Sequence, residues 1–190
     1  MIDSAFYFDL ASPLAYLAAE QVLAGLGGPA AWQPILASRL PTAEPFGAAA
    51  RQDVQRRAEQ LGLQPVRWPA GFPFDSELAM RVATYAREIG RAVPFAQAAF
   101  RQAFAGGHDL SDPDFVLIAA AACEMHPRAV LAAAQRESIG EQLRAATAAA
   151  IEAGVRAVPA IRVADSVFEG ERAIEDARAA LTAAAAVTRS

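Results

Sequence analysis

A serine followed by a proline stands between two segments of different character near the start of the chain. Phe6-Tyr7-Phe8 is an aromatic run that predicts a buried strand, and residues 15–26 are rich in residues that favour helix. Ser12 occupies the position of a helix N-cap, and Pro13 suits the first helical turn, where its missing N–H costs nothing. The start of a helix presents unpaired N–H groups and a partial positive charge. Such a position favours an anion or a thiolate.

A second proline-led segment lies far down the chain. Residues 154–163 contain Val158-Pro159 ahead of an apolar, β-branched run. Proline in such a run is restricted to the first residue of a strand or to an edge strand, and X–Pro is the common site of a cis peptide bond. Each segment also has a purely structural interpretation, with Ser12 as the cap of the first helix and Val158-Pro159 as the start of a strand. Together they are the pattern of a thioredoxin fold that a large insertion divides.

Several short motifs follow one another along the chain. They are F-D-x-x-S-P-x-x-Y-L at Phe8 to Leu17, W-P-x-x-F-P at Trp68 to Pro73, Ala79-Met80-Arg81, D-L-S-D-P at Asp109 to Pro113, G-V-x-x-V-P at Gly154 to Pro159, and F-x-G at Phe168 to Gly170. In this order and spacing the chain resembles the 2-hydroxychromene-2-carboxylate isomerases and kappa-class glutathione transferases of the DsbA-like branch of the thioredoxin superfamily. The resemblance covers nearly the whole chain. It implies an α/β thioredoxin fold of the DsbA type with a large all-helical insertion.

Length and composition predict a single globular domain over residues 1–190, with 54% hydrophobic and 20% charged residues. We expect a thioredoxin core from residues 1–45 and 150–190, and a helical insertion over 46–149. The net charge of −4 argues against nucleic acid as a partner. The basic side chains are all Arg, which excludes Schiff-base chemistry on a lysine.

The sequence carries no sign of export or membrane insertion. Its first residues lack a basic segment followed by an apolar stretch and a cleavage site, so we expect no secretory signal. No apolar run approaches the roughly 20 residues that a membrane-spanning helix needs. The sequence therefore predicts a cytoplasmic protein that does not associate with membranes.

Cysteine usage limits the redox chemistry. The single cysteine, Cys123, lies in a predicted helical stretch, and the window Ser12 to Ala15 contains no thiol. Dithiol–disulfide exchange needs two neighbouring thiols, so it is excluded at this site. We expect Cys123 to be a small buried apolar residue. His108 and His126 lack the neighbours that a metal site or a catalytic triad needs.

The remaining pattern predicts a second strand, a series of helices and a closing strand pair. The second strand covers residues 31–36 and precedes a loop over 38–45. Helices are predicted over 48–61, 76–89, 94–105, from 113 onward, 129–135 and 139–153. A tight turn at Asp165-Ser166 precedes Val167-Phe168, and a closing helix covers 171–186. Arg51, Arg56 and Arg57 are expected on a solvated helix face.

The resemblance assigns a role to each proline-associated segment. In that family the serine donates a hydrogen bond to the sulfur of bound glutathione, so Ser12 is the predicted catalytic residue. Val158 and Pro159 dock the thiol, because the backbone before the proline pairs with the cysteinyl unit like an added strand. A hydroxyl at a helix N-terminus favours the charged form of a thiol and lowers its pKa. Ala15 stands where family members usually carry a second serine.

The late segment departs from the family pattern. Gly170, Glu171 and Arg172 are predicted to lie at the glutamyl end of glutathione, where the family usually has an acid. Arg172 stands near the position of that acid and repels an ammonium group, so we expect weak glutathione binding. Glu171 replaces the acid if the turn shifts by one residue. The sequence leaves three possibilities open: the protein binds glutathione, another low-molecular-weight thiol, or no thiol at all.

The resemblance also implies a small aromatic substrate and a homodimer. Leu14, Tyr16 and Trp68 are the predicted substrate-binding residues. Trp68 and the Phe72-Pro73-Phe74 cluster have two interpretations, as the wall of an apolar pocket or as core beneath a loop. We predict no bound metal.

Three functions are consistent with these residues. In an isomerase of this family the thiolate adds to a conjugated double bond of an aryl pyruvate-type substrate, the resulting single bond rotates, and elimination releases the thiol unchanged. The resemblance therefore predicts a thiol-dependent cis–trans isomerase of an aromatic ring-cleavage product. A transferase instead leaves the thiol attached to an electrophile. A non-catalytic thioredoxin-like protein binds a peptide or a small acid at the former redox site.

Overall fold

A computed structural model describes residues 3–41 and 46–187 of the chain, without the side chain of residue 187, so the predicted loop over 38–45 lies partly outside it. The strands are β1 (Ser4–Phe8), β2 (Ala31–Pro34), β3 (Ala160–Val163) and β4 (Ser166–Glu169). The helices are α1 (Pro13–Ala19), α2 (Val22–Gly25), α3 (Ala48–Gln60), α4 (Glu77–Glu88), α5 (Ala92–Phe104), α6 (Pro113–Ala121), α7 (Pro127–Gln135), α8 (Glu137–Glu152) and α9 (Ala173–Val187). A 3-10 turn at Ala37–Arg39 follows β2.

The strands form one mixed sheet in the order β2-β1-β3-β4. β1 pairs in parallel with β2 and antiparallel with β3, and β3 pairs antiparallel with β4. Because β1 lies inside the sheet and is covered on both faces, all of its residues are buried. Helices α3 to α8 come between β2 and β3 in the sequence. The predicted α/β class with a helical insertion is confirmed.

Side chains of β1 alternate between two apolar clusters. Phe6 and Phe8 pack against Trp32 of β2, with ring centroids 4.9 and 5.8 Å apart, and Phe8 also contacts Phe100 of α5. Tyr7 points into a smaller cluster on the opposite face of the sheet. Burial on both faces fixes the end of β1, from which the Ser12 segment starts.

The first predicted helix is divided in two. α1 ends at Ala19, and α2 begins at Val22, whereas the sequence predicts one helix over residues 15–26. The Gln21 side chain donates a hydrogen bond to the Leu17 carbonyl at 2.9 Å. The Gln21 N–H bonds instead to the carbonyl of Ala18, which tightens the last turn and ends the helix.

Other boundaries differ from the prediction by one or two residues. α5 begins at Ala92, so Pro94 lies inside its first turn, where an N–H has no helical partner. The turn between β3 and β4 lies at Ala164-Asp165 rather than at Asp165-Ser166. Ala164 adopts a left-handed φ of 50° to close it.

In the described ranges, no helix is long and apolar enough to cross a bilayer.

Candidate active site

The junction between β1 and α1 presents Ser12 at the start of the helix. Its backbone is extended (φ −92°, ψ 112°), and its Oγ accepts a hydrogen bond from the Ala15 N–H at 3.2 Å. Pro13 follows in the first turn, so the predicted N-cap is confirmed. Because the cap uses only a lone pair of Oγ, the hydroxyl proton stays available for a second acceptor.

One backbone N–H of the first turn has no acceptor within residues 3–41 and 46–187. Pro13 has no N–H, Ala15 donates to Ser12 Oγ, and Tyr16 donates to the Ser12 carbonyl at 3.0 Å. The Leu14 N–H is left over. It and the Ser12 O–H are therefore the two donors that the start of α1 offers to an anion.

Val158 lies directly across from Ser12. The Ser12 hydroxyl donates to the Val158 carbonyl oxygen over a long distance of 3.5 Å. The Val158–Pro159 peptide bond is cis. The preceding segment is held by one Glu169 oxygen, which accepts from the N–H groups of Arg156 at 2.6 Å and Ala157 at 3.0 Å.

Two cavities meet beside Ser12 and Val158. The larger, of about 540 Å³, extends toward α3 and α9. The smaller, of about 440 Å³, is lined by Ser12 and extends toward residues 37–40 and 72–73. Leu14, Ala157 and Val158 line both. Both volumes lie within the range of roughly 300–1,000 Å³ that small-molecule sites occupy. We call the larger one the polar cavity and the smaller one the apolar cavity.

Aromatic side chains form part of the wall of the apolar cavity. Phe46, Phe72 and Pro73 line it, and none of its described lining residues carries a charge. Trp68 stands behind this wall, with its ring centroid 5.7 Å from that of Phe46 and 5.1 Å from that of Phe72. Each interpretation of the cluster therefore holds for part of it, because Phe72-Pro73 line a cavity while Trp68 packs beneath.

Arg51 braces the aromatic wall from α3. Its guanidinium carbon lies 5.0 Å from the Trp68 ring centroid and 5.2 Å from that of Phe72. Its Nη2 also donates to the Phe72 carbonyl at 3.3 Å. The expectation that Arg51 lies on a solvated face was wrong, since the faces of the two rings attract the guanidinium.

Charged side chains from α3 and from the turn before α9 meet at the polar cavity. Arg57 and Glu171 both line it, and Arg57 Nη2 lies 3.4 Å from Glu171 Oε1. Arg57 Nε lies 2.6 Å from Asp53 Oδ2 but is not aligned to donate a hydrogen bond to it. The expectation of a solvated position was therefore wrong for Arg57. It holds for Arg56, which is exposed and whose hydrogen bond lowers the pKa of Asp53.

The turn after β4 places Glu171, but not Arg172, in the lining of the polar cavity. Gly170 has a left-handed φ of 82°, and both Gly170 and Glu171 line the cavity. Arg172 lines neither cavity and instead lies 3.4 Å from Glu175 and 3.8 Å from Asp176 of α9. Of these two charged residues, only Glu171 lines the polar cavity.

Of the predicted substrate-binding residues, Leu14 lines both cavities and Tyr16 lines neither. The Tyr16 side chain is buried, with its ring centroid 5.6 Å from Phe104 and 6.2 Å from Phe100. Burial, followed by the charge of Glu20, raises the pKa of its hydroxyl. Tyr16 is a core residue because its face of α1 packs against α5.

Cys123 and the histidines lie outside the site. Cys123 is buried, as predicted, and burial raises the pKa of its thiol. His126 caps α7 by accepting a hydrogen bond from the Arg128 N–H, and the His108 ring stacks on Phe115. Among the described residues no group of histidines, cysteines or acids is arranged to hold a metal ion.

The sequence as a whole agrees with this architecture. Residues 5–182 match the DSBA-like thioredoxin domain. The chain belongs to the DSBA-like thioredoxin domain family. Disulfide exchange needs two neighbouring thiols, and the segment from Ser12 to Ala15 contains none. A search of curated proteins found no match.

Solved structures share the fold over nearly the full chain. A 2-hydroxychromene-2-carboxylate isomerase matches with a TM-score of 0.81 at 20% identity, covering 98% of this chain and 96% of its own. The cytosolic disulfide reductase DsbM from Pseudomonas aeruginosa, solved with GSH, matches with a TM-score of 0.66 at 16% identity (95% and 98% covered). The oxidoreductase DsbA from Xylella fastidiosa matches with a TM-score of 0.61 at 16% identity (99% and 86% covered). At these identities the likeness shows the fold alone.

Proposed function

We propose that this protein is a thiol-dependent cis–trans isomerase of an aromatic ring-cleavage product, with glutathione or another low-molecular-weight thiol as cosubstrate. The observation that carries the proposal is the Ser12 hydroxyl, placed beside a free Leu14 N–H and 3.5 Å from the Val158 carbonyl at the meeting point of two cavities. A site with these donors and without a cysteine of its own suits a thiol that binds as a separate small molecule.

The donors at the start of α1 account for binding of a sulfur anion. With a thiol bound, the Ser12 hydroxyl turns from the Val158 carbonyl, to which its hydrogen bond is long, toward the sulfur. The Val158 carbonyl then accepts a hydrogen bond from the amide of the thiol's cysteinyl unit. The Leu14 N–H and the positive end of α1 add to the preference for thiolate. The Ser12 hydroxyl, the Leu14 N–H and the positive end of α1 each lower the pKa of the bound thiol, whereas the Val158 contact holds the thiol in place.

The polar cavity suits the remainder of a zwitterionic thiol. Arg57 matches a carboxylate and Glu171 matches an ammonium group, and in the free protein the two neutralise each other at 3.4 Å. A glutamyl group that carries both charges replaces this pair with two new ones. The exchange conserves charge, and Arg57 also keeps Asp53 as a partner, because its Nε lies 2.6 Å from Asp53 Oδ2.

The apolar cavity suits the electrophile. An aromatic ring that enters it lies against Phe46 and Phe72, and its reacting carbon lies near the sulfur because Ser12 lines the same cavity. The thiolate lone pair forms a C–S bond, and the π electrons of the double bond move onto the conjugated carbonyl oxygen. After rotation these electrons return, the C–S bond breaks and the thiolate is released.

A transferase is the second candidate, and one observation favours it. The described lining residues of the apolar cavity carry no charge, which suits an electrophile without a carboxylate. In that case the adduct accepts a proton or loses a leaving group, and the thiol leaves as a conjugate. A non-catalytic binding protein is the third possibility, for which the same cavities hold a peptide or a small acid.

Thiol consumption separates these functions. Purified protein is incubated with glutathione and a set of aromatic ring-cleavage products and aryl electrophiles, and both product and free thiol are quantified. The proposed isomerase needs thiol for turnover but leaves its concentration constant. Thiol loss equal to product formation identifies a transferase. Turnover that is independent of thiol, or absence of thiol binding by calorimetry, contradicts the proposal.

Two further expectations are part of the proposal. Use of a cellular thiol without a disulfide of its own suits the reducing cytoplasm, so we propose that location. We also propose a homodimer, following the resemblance. Light scattering coupled to size-exclusion chromatography gives the mass of the particle, and a mass of one chain contradicts the dimer.

A further inference from the structure

Asp9 is a buried carboxylate next to the candidate site. Its side chain is 1% exposed. Asp9 Oδ1 accepts a hydrogen bond from the Ala11 N–H at 2.9 Å, and Oδ2 accepts one from the Ala37 N–H at 2.7 Å. Hydrogen bonding with the Ser76 side chain lowers the Asp9 pKa. A single side chain thus accepts hydrogen bonds from two segments that are far apart in sequence and interacts with a third.

These three segments surround the apolar cavity. The first segment leads from Ala11 to Ser12, and the second begins at Ala37. Residues of both segments line the cavity. The third follows the lining residues Phe72-Pro73 and reaches Asp9 at Ser76. Loss of the carboxylate leaves partly buried N–H groups of the first two segments without their acceptors, a costly condition that the segments relieve by moving.

The same residue orients the first turn of α1. The Ser12 N–H donates to the Asp9 carbonyl at 2.9 Å, and the Leu10 N–H between them donates to Met80 Sδ at 3.2 Å. Every N–H from Leu10 to Ser12 is therefore bonded to Asp9 or to Met80. The conformation of this short segment therefore sets the directions of the Ser12 hydroxyl and the Leu14 N–H.

We propose that Asp9 is a positioning residue of the thiol site, which holds the Ser12 hydroxyl and the Leu14 N–H in the orientation that stabilises a thiolate. This inference rests on the proposed function. Asp9 acts through backbone contacts and does not touch the sulfur, because its carboxylate is sealed from both cavities and lines neither.

Asp9 has two opposite effects on the pKa of a bound thiol, one through its charge and one through the positions of the donors. Burial raises the Asp9 pKa, the Ala11 and Ala37 N–H groups lower it, and the facing charge of Asp75 raises it. When it is ionised, Asp9 is a negative charge near the site and opposes formation of a second anion. Removing that charge alone lowers the pKa of a bound thiol, whereas loosening the donors raises it.

Hydrogen exchange tests the structural part of the inference without any thiol. The variant is Asp9→Asn, which keeps the shape but directs an NH₂ group at an N–H donor. The matched control is Asp75→Asn, which removes the nearby exposed charge and keeps the oxygen that accepts from the Glu77 N–H. We expect exchange at residues 11–15 and 37–40 to be at least about threefold faster in Asp9→Asn only. Equal exchange in the two variants overturns the inference.

The functional part is tested by the pKa of bound glutathione, followed by the ultraviolet absorbance of the thiolate. We expect Asp9→Asn to raise this pKa by about half a unit or more, and Asp75→Asn to leave it unchanged or slightly lower. A lowered pKa in Asp9→Asn means that Asp9 acts through its charge, which contradicts the inference.

A milder variant covers the case in which Asp9→Asn does not fold. Ser76→Ala removes one contact to Asp9, and Ser76 makes no side-chain cap for α4, so the helix loses nothing else. It is expected to shift exchange and thiol pKa in the same direction by a smaller amount, and no shift in either contradicts the inference. If the wild-type protein binds no thiol, the proposed function fails, and the exchange result alone then decides whether Asp9 positions the segment.

Discussion

The Ser12 hydroxyl faces the Val158 carbonyl at 3.5 Å, although 146 residues separate the two in sequence. One residue caps α1 and the other precedes the cis proline that leads into β3. The distance is at the upper limit for a hydrogen bond, so the bond is weak. Either group can exchange it for a stronger hydrogen bond at little cost in free energy. A thiol that carries a sulfur and an amide offers both replacements at once.

Removal of the Ser12 hydroxyl is expected to reduce turnover. Ser12→Ala loses one of the two donors to the sulfur, so kcat falls by about tenfold or more while thiol affinity changes less. The cap to the Ala15 N–H is lost as well, which lowers the free energy of unfolding by about 1 kcal/mol. Steady-state kinetics and thermal unfolding measure the two effects.

Ser12→Gly is the matched control for this variant. Gly also lacks the hydroxyl but costs only a few tenths of a kcal/mol at an N-cap. The two variants are therefore expected to lose the same activity while they differ in stability. Full activity in either variant contradicts a catalytic role of Ser12.

Glu171 and Arg172 are expected to differ in their effect on the thiol. Glu171→Gln removes the acid that lines the polar cavity, so glutathione affinity falls by about fivefold to tenfold. Arg172→Gln breaks only exposed pairs with Glu175 and Asp176, so affinity changes by less than about twofold. Isothermal titration calorimetry gives both values. If Arg172→Gln instead binds glutathione more tightly than wild type, then Arg172 repels the glutamyl ammonium group, as the sequence alone suggests.

The two cavities are expected to respond separately to truncation of their walls. Phe46→Ala enlarges the apolar cavity, so KM for the aromatic substrate rises by about fivefold and the thiol Kd stays constant. Leu61→Ala, in the wall of the polar cavity, changes the thiol Kd and leaves the substrate KM constant. If each variant alters both constants equally, the division of the site into a thiol half and a substrate half is wrong.

Asp9 gives the stability of the protein a defined pH dependence. Burial raises its pKa in the folded state above the ordinary value of 3.8, so the folded state holds this proton more tightly than the unfolded state does. Its contribution to stability is therefore complete below pH 3.8 and is lost as the pH rises through the folded-state value. The free energy of unfolding of wild type minus that of Asp9→Asn is expected to fall with rising pH in this window. Urea unfolding at several pH values measures it, and a constant or rising difference contradicts the shift.

Local sequence signals were sufficient for the elements around Ser12. A serine, a proline and a helix-favouring segment define the cap, and the aromatic run before them defines a buried strand. Val158-Pro159 was identified in the same way, by a proline ahead of a β-branched run. That these two segments face each other depended on the resemblance, because nothing local to either one encodes the contact.

Residues that act through tertiary contacts were missed or misplaced. Arg51 and Arg57 belong to a charged helix whose pattern suits solvent, and only the packing of α3 near the 68–72 segment and the α9 turn gives them partners. Whether Glu171 or Arg172 faces the cavity depends on one left-handed glycine, and the rotation of the following residues cannot be read from residue types. Tyr16 follows the site in sequence but belongs to the opposite, buried face of α1.

The pKa of glutathione bound to the wild-type protein tests the central claim most directly. The start of α1, with the Ser12 hydroxyl and the Leu14 N–H, is predicted to lower the thiol pKa by about one unit or more from its ordinary value of about 8.5, and Ser12→Ala is predicted to return most of that shift. A titration of thiolate absorbance in the complex gives both values. A bound thiol that titrates like the free one, in wild type and variant alike, contradicts the account.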